Sequence, residues 1–147
     1  MELLSKANIK KILKELSNLY GIRNLKLNYL FFKNPQNKIY IINKDYNKLK
    51  DSKFNAIGLY FAKRELPGLR LSIEGSQIIG PLATKNIFEI KDLKDYMTSK
   101  NIPCDKKLKS FVIIKHKEDY LGSGLYKQEK ILNYLPKERR LKFTLDI

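Results

Sequence analysis

Tryptophan is absent from this 147-residue chain, and cysteine and histidine occur once each, as Cys104 and His116. One cysteine excludes an internal disulfide and a thiolate metal centre, and one histidine cannot assemble a metal cluster around itself. Long apolar runs are also missing: nothing approaches the 18 residues that a membrane-spanning helix needs. Lys6, Lys10, Lys11 and Lys14 interrupt the N-terminus where a secretion signal would carry its apolar stretch, so a cytoplasmic protein is expected. Acidic residues are scarce, 15 against 30 Lys and Arg. Those present form no catalytic pair: Glu118 and Asp119 sit together in a turn, and Asp45, Asp51 and Glu65 have no spacing that shares a face. No glycine-rich strand-to-helix turn for a nucleotide is found either. The chain is therefore expected to have no cofactor and no catalysis of its own.

What is present is a foldable, strongly basic chain. The hydrophobic content is 43%, with 11% aromatic residues, which separates it from a disordered basic tail. The net charge is +15, with an excess of 9 up to residue 74 and 6 beyond it, so it is spread over both halves. A folded domain this basic attracts polyanions, and nucleic acid is the commonest of these. A general lysine enrichment would raise glutamate in parallel, which is not the case here.

Ile9, Ile12, Leu13, Leu16, Leu19 and Tyr20 recur at helical spacing, so an amphipathic helix is predicted, capped at Asn8 and stopped by Gly21. Its lysine face either meets phosphate or is simply solvated. Residues 25–32 and 39–42 read as strands around a turn at Asn34-Pro-Gln-Asn37. Residues 43–54 read as a polar loop, 56–62 as a central strand, and 63–67 as a connector that ends an N-terminal helix-plus-sheet unit. A strand at 86–90 follows, then a helix capped by Asp92 with Leu93, Tyr96 and Met97 as its buried stripe. Residues 111–114 are four apolar residues in a row, as in a strand covered on both faces. Two tight turns then join short strands up to an alternating one at 141–147. The fold class expected is α+β, with short strands in a small closed or half-closed barrel.

Residues 68–81 are the densest stretch, with three of the seven glycines beside Arg70, Ser72, Ser76 and Gln77. They are predicted as a short strand over 69–73, one helical turn, and a sharp exit at Gly80-Pro81. Such a junction either is plain architecture or offers N–H groups and small side chains to an anion.

Three segments, Leu69-Arg-Leu-Ser-Ile-Glu-Gly-Ser-Gln77, Tyr120-Leu-Gly-Ser-Gly124 and Asn133-Tyr-Leu-Pro-Lys-Glu-Arg-Arg140, stand in this order along the chain. Together they resemble the PUA domain, an RNA-binding module. They look like its stand-alone archaeal form, related to the C-terminal region of Nol/Nop/Sun (Fmu) type RNA cytosine-5 methyltransferases. The resemblance covers roughly residues 67–147 and implies a PUA-like pseudobarrel there, preceded by a small α/β unit over 1–66. It implies RNA contacts at Ser72, Gly75, Ser76, Gln77 and Gly80, at Gly122, Ser123 and Gly124, and at Lys137, Arg139 and Arg140. Arg70 and Lys85 complete the candidate set. Glu74 repels phosphate, so it is expected to pair with Arg70 or to accept from a base amino group. The Gly-Ser-Gly segment serves equally as a bend in a barrel strand.

The methyltransferases of that family attack with a cysteine, but Pro103-Cys104 has no second catalytic element, and Cys104 is read as structural. The expected function is non-catalytic recognition of structured ribosomal or transfer RNA, in ribosome biogenesis or RNA modification. The rival is a protein-interaction module that docks an RNA-modifying enzyme or a ribosomal protein. No membrane partner is expected.

Overall fold

A computed structural model describes residues 1–44, 58–136 and 139. The expected loop at 43–54, the start of the strand expected at 56–62, the strand expected at 141–147, and Lys137 and Arg140 lie wholly or mostly outside these residues.

The first sheet is antiparallel throughout. Its strands are β1 (Glu2–Leu3), β2 (Tyr29–Lys33), β3 (Lys38–Asn43), β4 (Leu59–Glu65) and β5 (Gly68–Leu71), side by side in chain order. Helix α1 (Lys6–Tyr20) packs on one face of it. Ser5, not Asn8, caps this helix, its hydroxyl accepting the Asn8 N–H at 3.1 Å. Gly21 ends it in the left-handed conformation at φ 64°, which a side chain would resist. Residues 25–28 stay outside β2, and 63–65 continue β4 instead of forming a connector.

Helix α2 (Ile73–Ile79) and a 3-10 turn (Gly80–Leu82) lead to the second sheet. Its strands are β6 (Ile87–Glu89), β7 (Ile102–Pro103), β8 (Phe111–His116), β9 (Asp119–Lys127) and β10 (Lys130–Asn133), in the order β6-β8-β9-β10-β7. Only β6 and β8 run parallel. This curled sheet forms a half-barrel, and with the helices it gives the α+β, PUA-like pseudobarrel architecture. Helix α3 (Leu93–Met97) is capped by Asp92 as the sequence suggests, and buries Tyr96, but Leu93 is exposed.

Strand β8 explains how two cores share one chain. Its residues Phe111, Val112, Ile113 and Ile114 are all fully buried. Ile113 joins a cluster with Leu16, Tyr20, Phe31, Phe61, Leu69 and Leu71. Val112 and Ile114 point the other way, into a cluster with Ile90, Tyr96, Ile131 and the buried Cys104. Strand alternation thus turns an uninterrupted apolar run into the wall between two cores. The expected division at residue 66 falls within the β4–β5 hairpin, and the first cluster takes residues from both sides of it.

Candidate nucleic-acid interface

A bulge in β4 decides what the face opposite α1 displays. Lys38 pairs with Lys63 and Ile39 with Ala62, but Tyr40 pairs with Tyr60, so Phe61 is the extra residue. Phe61 and Ala62 both turn into the core, at 0% exposure. The strand's phase changes there, and Tyr60 and Lys63 come to the same face as Lys38 and Arg70.

These four side chains form one wall of a groove of about 690 Å³ between the two sheets. The other wall comes from the start of α2 and from β9 and β10, with Glu74, Gly122, Tyr134 and Arg139 among its residues. Its volume lies in the range of small-molecule and nucleotide pockets.

Cations and rings are paired in this groove, one pair across it and one along a wall. The Arg70 guanidinium lies 5.2 Å from the centre of the Tyr134 ring, and the Lys38 ammonium 5.2 Å from that of Tyr60. Tyr40 backs Tyr60, with ring centres 5.7 Å apart. Each cation–ring contact contributes on the order of 0.5–2 kcal/mol according to its exposure. Burial is the main cause that raises the Tyr60 hydroxyl above its ordinary pKa, with the Arg70 charge opposing it, so Tyr60 stays a neutral donor.

The expected Arg70–Glu74 pairing is replaced by two others. Arg70 Nε donates to Glu65 Oε1 at 2.6 Å across the β4–β5 hairpin, which fixes the guanidinium against Tyr134. Glu74 instead accepts from Arg139 at 3.1 Å near the mouth of the groove. Cross-strand neighbours are closer to Arg70 than a residue one helical turn away.

The other predicted contacts divide into three groups. Arg70, Ser72, Gly122, Ser123 and Arg139 line the groove. Gln77 and Lys85 are exposed elsewhere, Lys85 beside Gly21 at the end of α1. Gly75, Ser76, Gly80 and Gly124 are buried and turned inward.

The serines are bonded within the protein. The Ser72 hydroxyl caps α2 by accepting the Gly75 N–H at 2.8 Å and donates to the Tyr60 carbonyl at 2.6 Å. That of Ser76 donates to the Ile73 carbonyl at 2.6 Å and accepts the Gly122 N–H at 2.8 Å, and that of Ser123 donates to the Leu71 carbonyl at 3.0 Å. These bonds stitch α2 and β5 to β9 behind the groove. A methyl group on Gly75 would overlap the Phe61 carbonyl, one on Gly80 the Tyr120 ring, and one on Gly124 the Ile131 side chain. The sequence reading missed Lys38, Tyr60, Lys63 and Tyr134. Of these only Tyr134 lay in a segment already singled out.

Among the described residues no group of three His, Cys, Asp or Glu side chains is placed to hold a metal ion, and no helix is long and apolar enough to cross a membrane. In comparison with known proteins, residues 85–141 match the family described as the methyltransferase RsmF PUA domain. No curated protein matches the chain. The matched residues include Gly122, Tyr134 and Arg139 of one groove wall, whereas Glu74 of that wall and the wall with Lys38, Tyr60, Lys63 and Arg70 precede them.

Proposed function

We propose that this PUA-domain protein, related to the C-terminal region of the Sun/Fmu methyltransferases, holds unpaired bases of a structured RNA in the groove between its two sheets. The observation that carries the reading is the pairing of Arg70 with Tyr134 across the groove, beside that of Lys38 with Tyr60 on one of its walls. Single-stranded RNA is recognised by rings and guanidinium planes that stack on bases, with cations for the phosphates between them. In this reading the unit over 1–66 supplies Lys38, Tyr60 and Lys63, and the PUA-like unit over 67–147 supplies Arg70, Tyr134 and Arg139. Lys137 and Arg140 flank Arg139 in the same short stretch of sequence, and we assign them to the same RNA.

PUA domains bind RNA and are not catalytic, and we assign this chain the same role: it positions RNA and does not transform it. The RNA is ribosomal or transfer RNA in the cytoplasm during its maturation, and an RNA-modifying enzyme or a ribosomal protein is the partner that acts on it.

Titration of ribosomal and transfer RNA over a range of salt tests this. Phosphate contacts release counterions, so log affinity should fall linearly with log salt. Arg70→Ala should weaken binding roughly tenfold by removing one stacked cation. Affinity that ignores salt, or an Arg70→Ala protein that binds like the wild type, would remove this function.

A further inference from the structure

The outer face of α1 is a second basic surface, and the groove does not use it. Lys6, Lys10 and Lys14 are all exposed and follow one another at four-residue steps, so they stand on one side of the helix about 6 Å apart. Lys11 is exposed beside them. The only acid of this helix, Glu15, is bonded to Arg64 at 2.8 and 2.9 Å on the sheet side. None of the four lysines forms an ion pair with a described residue.

Left to itself this arrangement is unfavourable. Like charges four residues apart on a helix repel, and the first turn, which favours acids, has none here. A polyanion laid along the helix relieves both effects. Its charges must repeat at a step close to that of the lysines, as the phosphates of a nucleic-acid strand do. A membrane surface fits less well. A helix that lies in a bilayer inserts its apolar face, but in α1 that face is closed into the core through Ile12, Leu16 and Tyr20. The other exposed positions of the helix are Ala7, Asn8 and Asn18, which have nothing to insert.

The two basic surfaces look away from each other. Phe61, Leu69 and Leu71 turn from the first sheet towards α1, while Tyr60, Lys63 and Arg70 turn from it into the groove. A sheet and a helix about 10 Å across therefore lie between them. We infer that the lysine face of α1 is a second RNA-backbone surface, and that the protein joins two RNA segments, one in the groove and one along α1. That the second partner is RNA rests on the reading of the groove.

The test is bridging. Wild-type protein is mixed with an immobilised short oligouridylate, which fills the groove, and with a fluorescent RNA hairpin. The expected result is capture of the hairpin by the immobilised strand. Replacing Lys6, Lys10 and Lys14 together by Gln should reduce capture at least tenfold while oligouridylate affinity changes less than threefold. Replacing the same three by Arg should restore capture. Against the hairpin alone, the Gln protein should lose roughly 2–3 from the slope of log affinity with log salt, about 0.7–0.9 per phosphate contact.

These substitutions leave the core untouched, and circular dichroism checks that α1 persists. Bridging that survives in the Gln protein would overturn the inference, because it would come from self-association. So would wild-type protein that binds each RNA but never both, or binding of the Gln protein with an unchanged salt slope. If vesicles rich in phosphatidylserine compete the hairpin off α1 at lower concentration than unlabelled hairpin does, the surface is a membrane contact and the inference fails. Arg70→Ala separates the two claims, since it should weaken oligouridylate binding roughly tenfold and leave hairpin binding through α1.

Discussion

The Tyr20 hydroxyl donates to the carbonyl oxygen of Phe111 at 2.9 Å, across 91 positions of sequence. This bond ties the last residue of α1 to the first residue of β8, and so the outer layer of the first sheet to the strand that separates the cores. Asn86 reaches the same oxygen at 3.0 Å and also bonds Lys109 through both its carbonyl and its amide group.

Tyr20→Phe leaves the Phe111 carbonyl with Asn86 as a donor, and keeps the ring in its place. It should cost about 1 kcal/mol, the ordinary net value of one internal hydrogen bond. Asn86→Ala removes three bonds and leaves the Lys109 N–H without its partner, so a loss of roughly 2–3 kcal/mol is expected. Denaturation in urea compares the two. Equal losses would mean that Asn86 does not hold this junction.

Tyr134 separates stacking from charge in the groove. Tyr134→Phe retains the ring beneath Arg70 and should bind RNA like the wild type. Tyr134→Ala should lower affinity for an unpaired strand by roughly 5- to 100-fold, the range for losing one base–ring stack. The salt slope should stay the same in both, because no cation is lost. A change of slope without a change of affinity at low salt would assign the ring a different part.

The α1 stripe, the buried run of β8 and the Asp92 cap were legible because each is a local pattern whose period or chemistry survives in the sequence. The groove was half legible. Arg70, Ser72, Gly122, Ser123 and Arg139 fall in segments that resemble a known module, but Lys38, Tyr60 and Lys63 fall in none. They share a face only because Phe61 is bulged, and a bulge changes the phase of a strand without a sequence sign of its own. Lys63, Arg64 and Glu65 read as a connector because a strand that displays polar residues on an open face looks like a loop. The serines misled for a related reason: a hydroxyl in a short helix has the same sequence signature whether it faces solvent or, as that of Ser76 does, the N–H of Gly122.

Gly75 and Gln77 were both read as RNA contacts, and the structure gives them different surroundings. Gly75→Ala forces a methyl group onto the Phe61 carbonyl, where backbone cannot yield cheaply, and should destabilise the fold by about 1–3 kcal/mol. Its RNA affinity should be intact at a temperature where the protein is fully folded. Gln77 is exposed, so Gln77→Ala should leave the melting temperature within a degree or two. If it acts at all, it should act on the preference between RNAs. Calorimetry followed by binding below the transition distinguishes the pair; a Gly75→Ala protein that is stable but fails to bind would return Gly75 to the contact surface.

Alkaline titration reports on the buried phenols. Burial raises the Tyr20 hydroxyl far above its ordinary value of 10.0, with the Glu15 charge adding to the shift, and burial alone does the same to Tyr96. The sign follows from the raised folded value. Both phenols are neutral in the folded and unfolded chains below about pH 10, so their contribution to stability is complete there. Above that pH the unfolded chain ionises them and the folded chain does not, so stability falls as pH rises from 10 towards the folded values. Of the nine tyrosines, phenolate absorbance should therefore leave at least two untitrated until the protein unfolds. Addition of urea at the same pH should release them at once. Tyr20→Phe should remove one residue from this late fraction and none from the early one. If every phenol titrates near pH 10 while the far-ultraviolet dichroism remains that of the folded state, then neither Tyr20 nor Tyr96 is shielded as its burial requires.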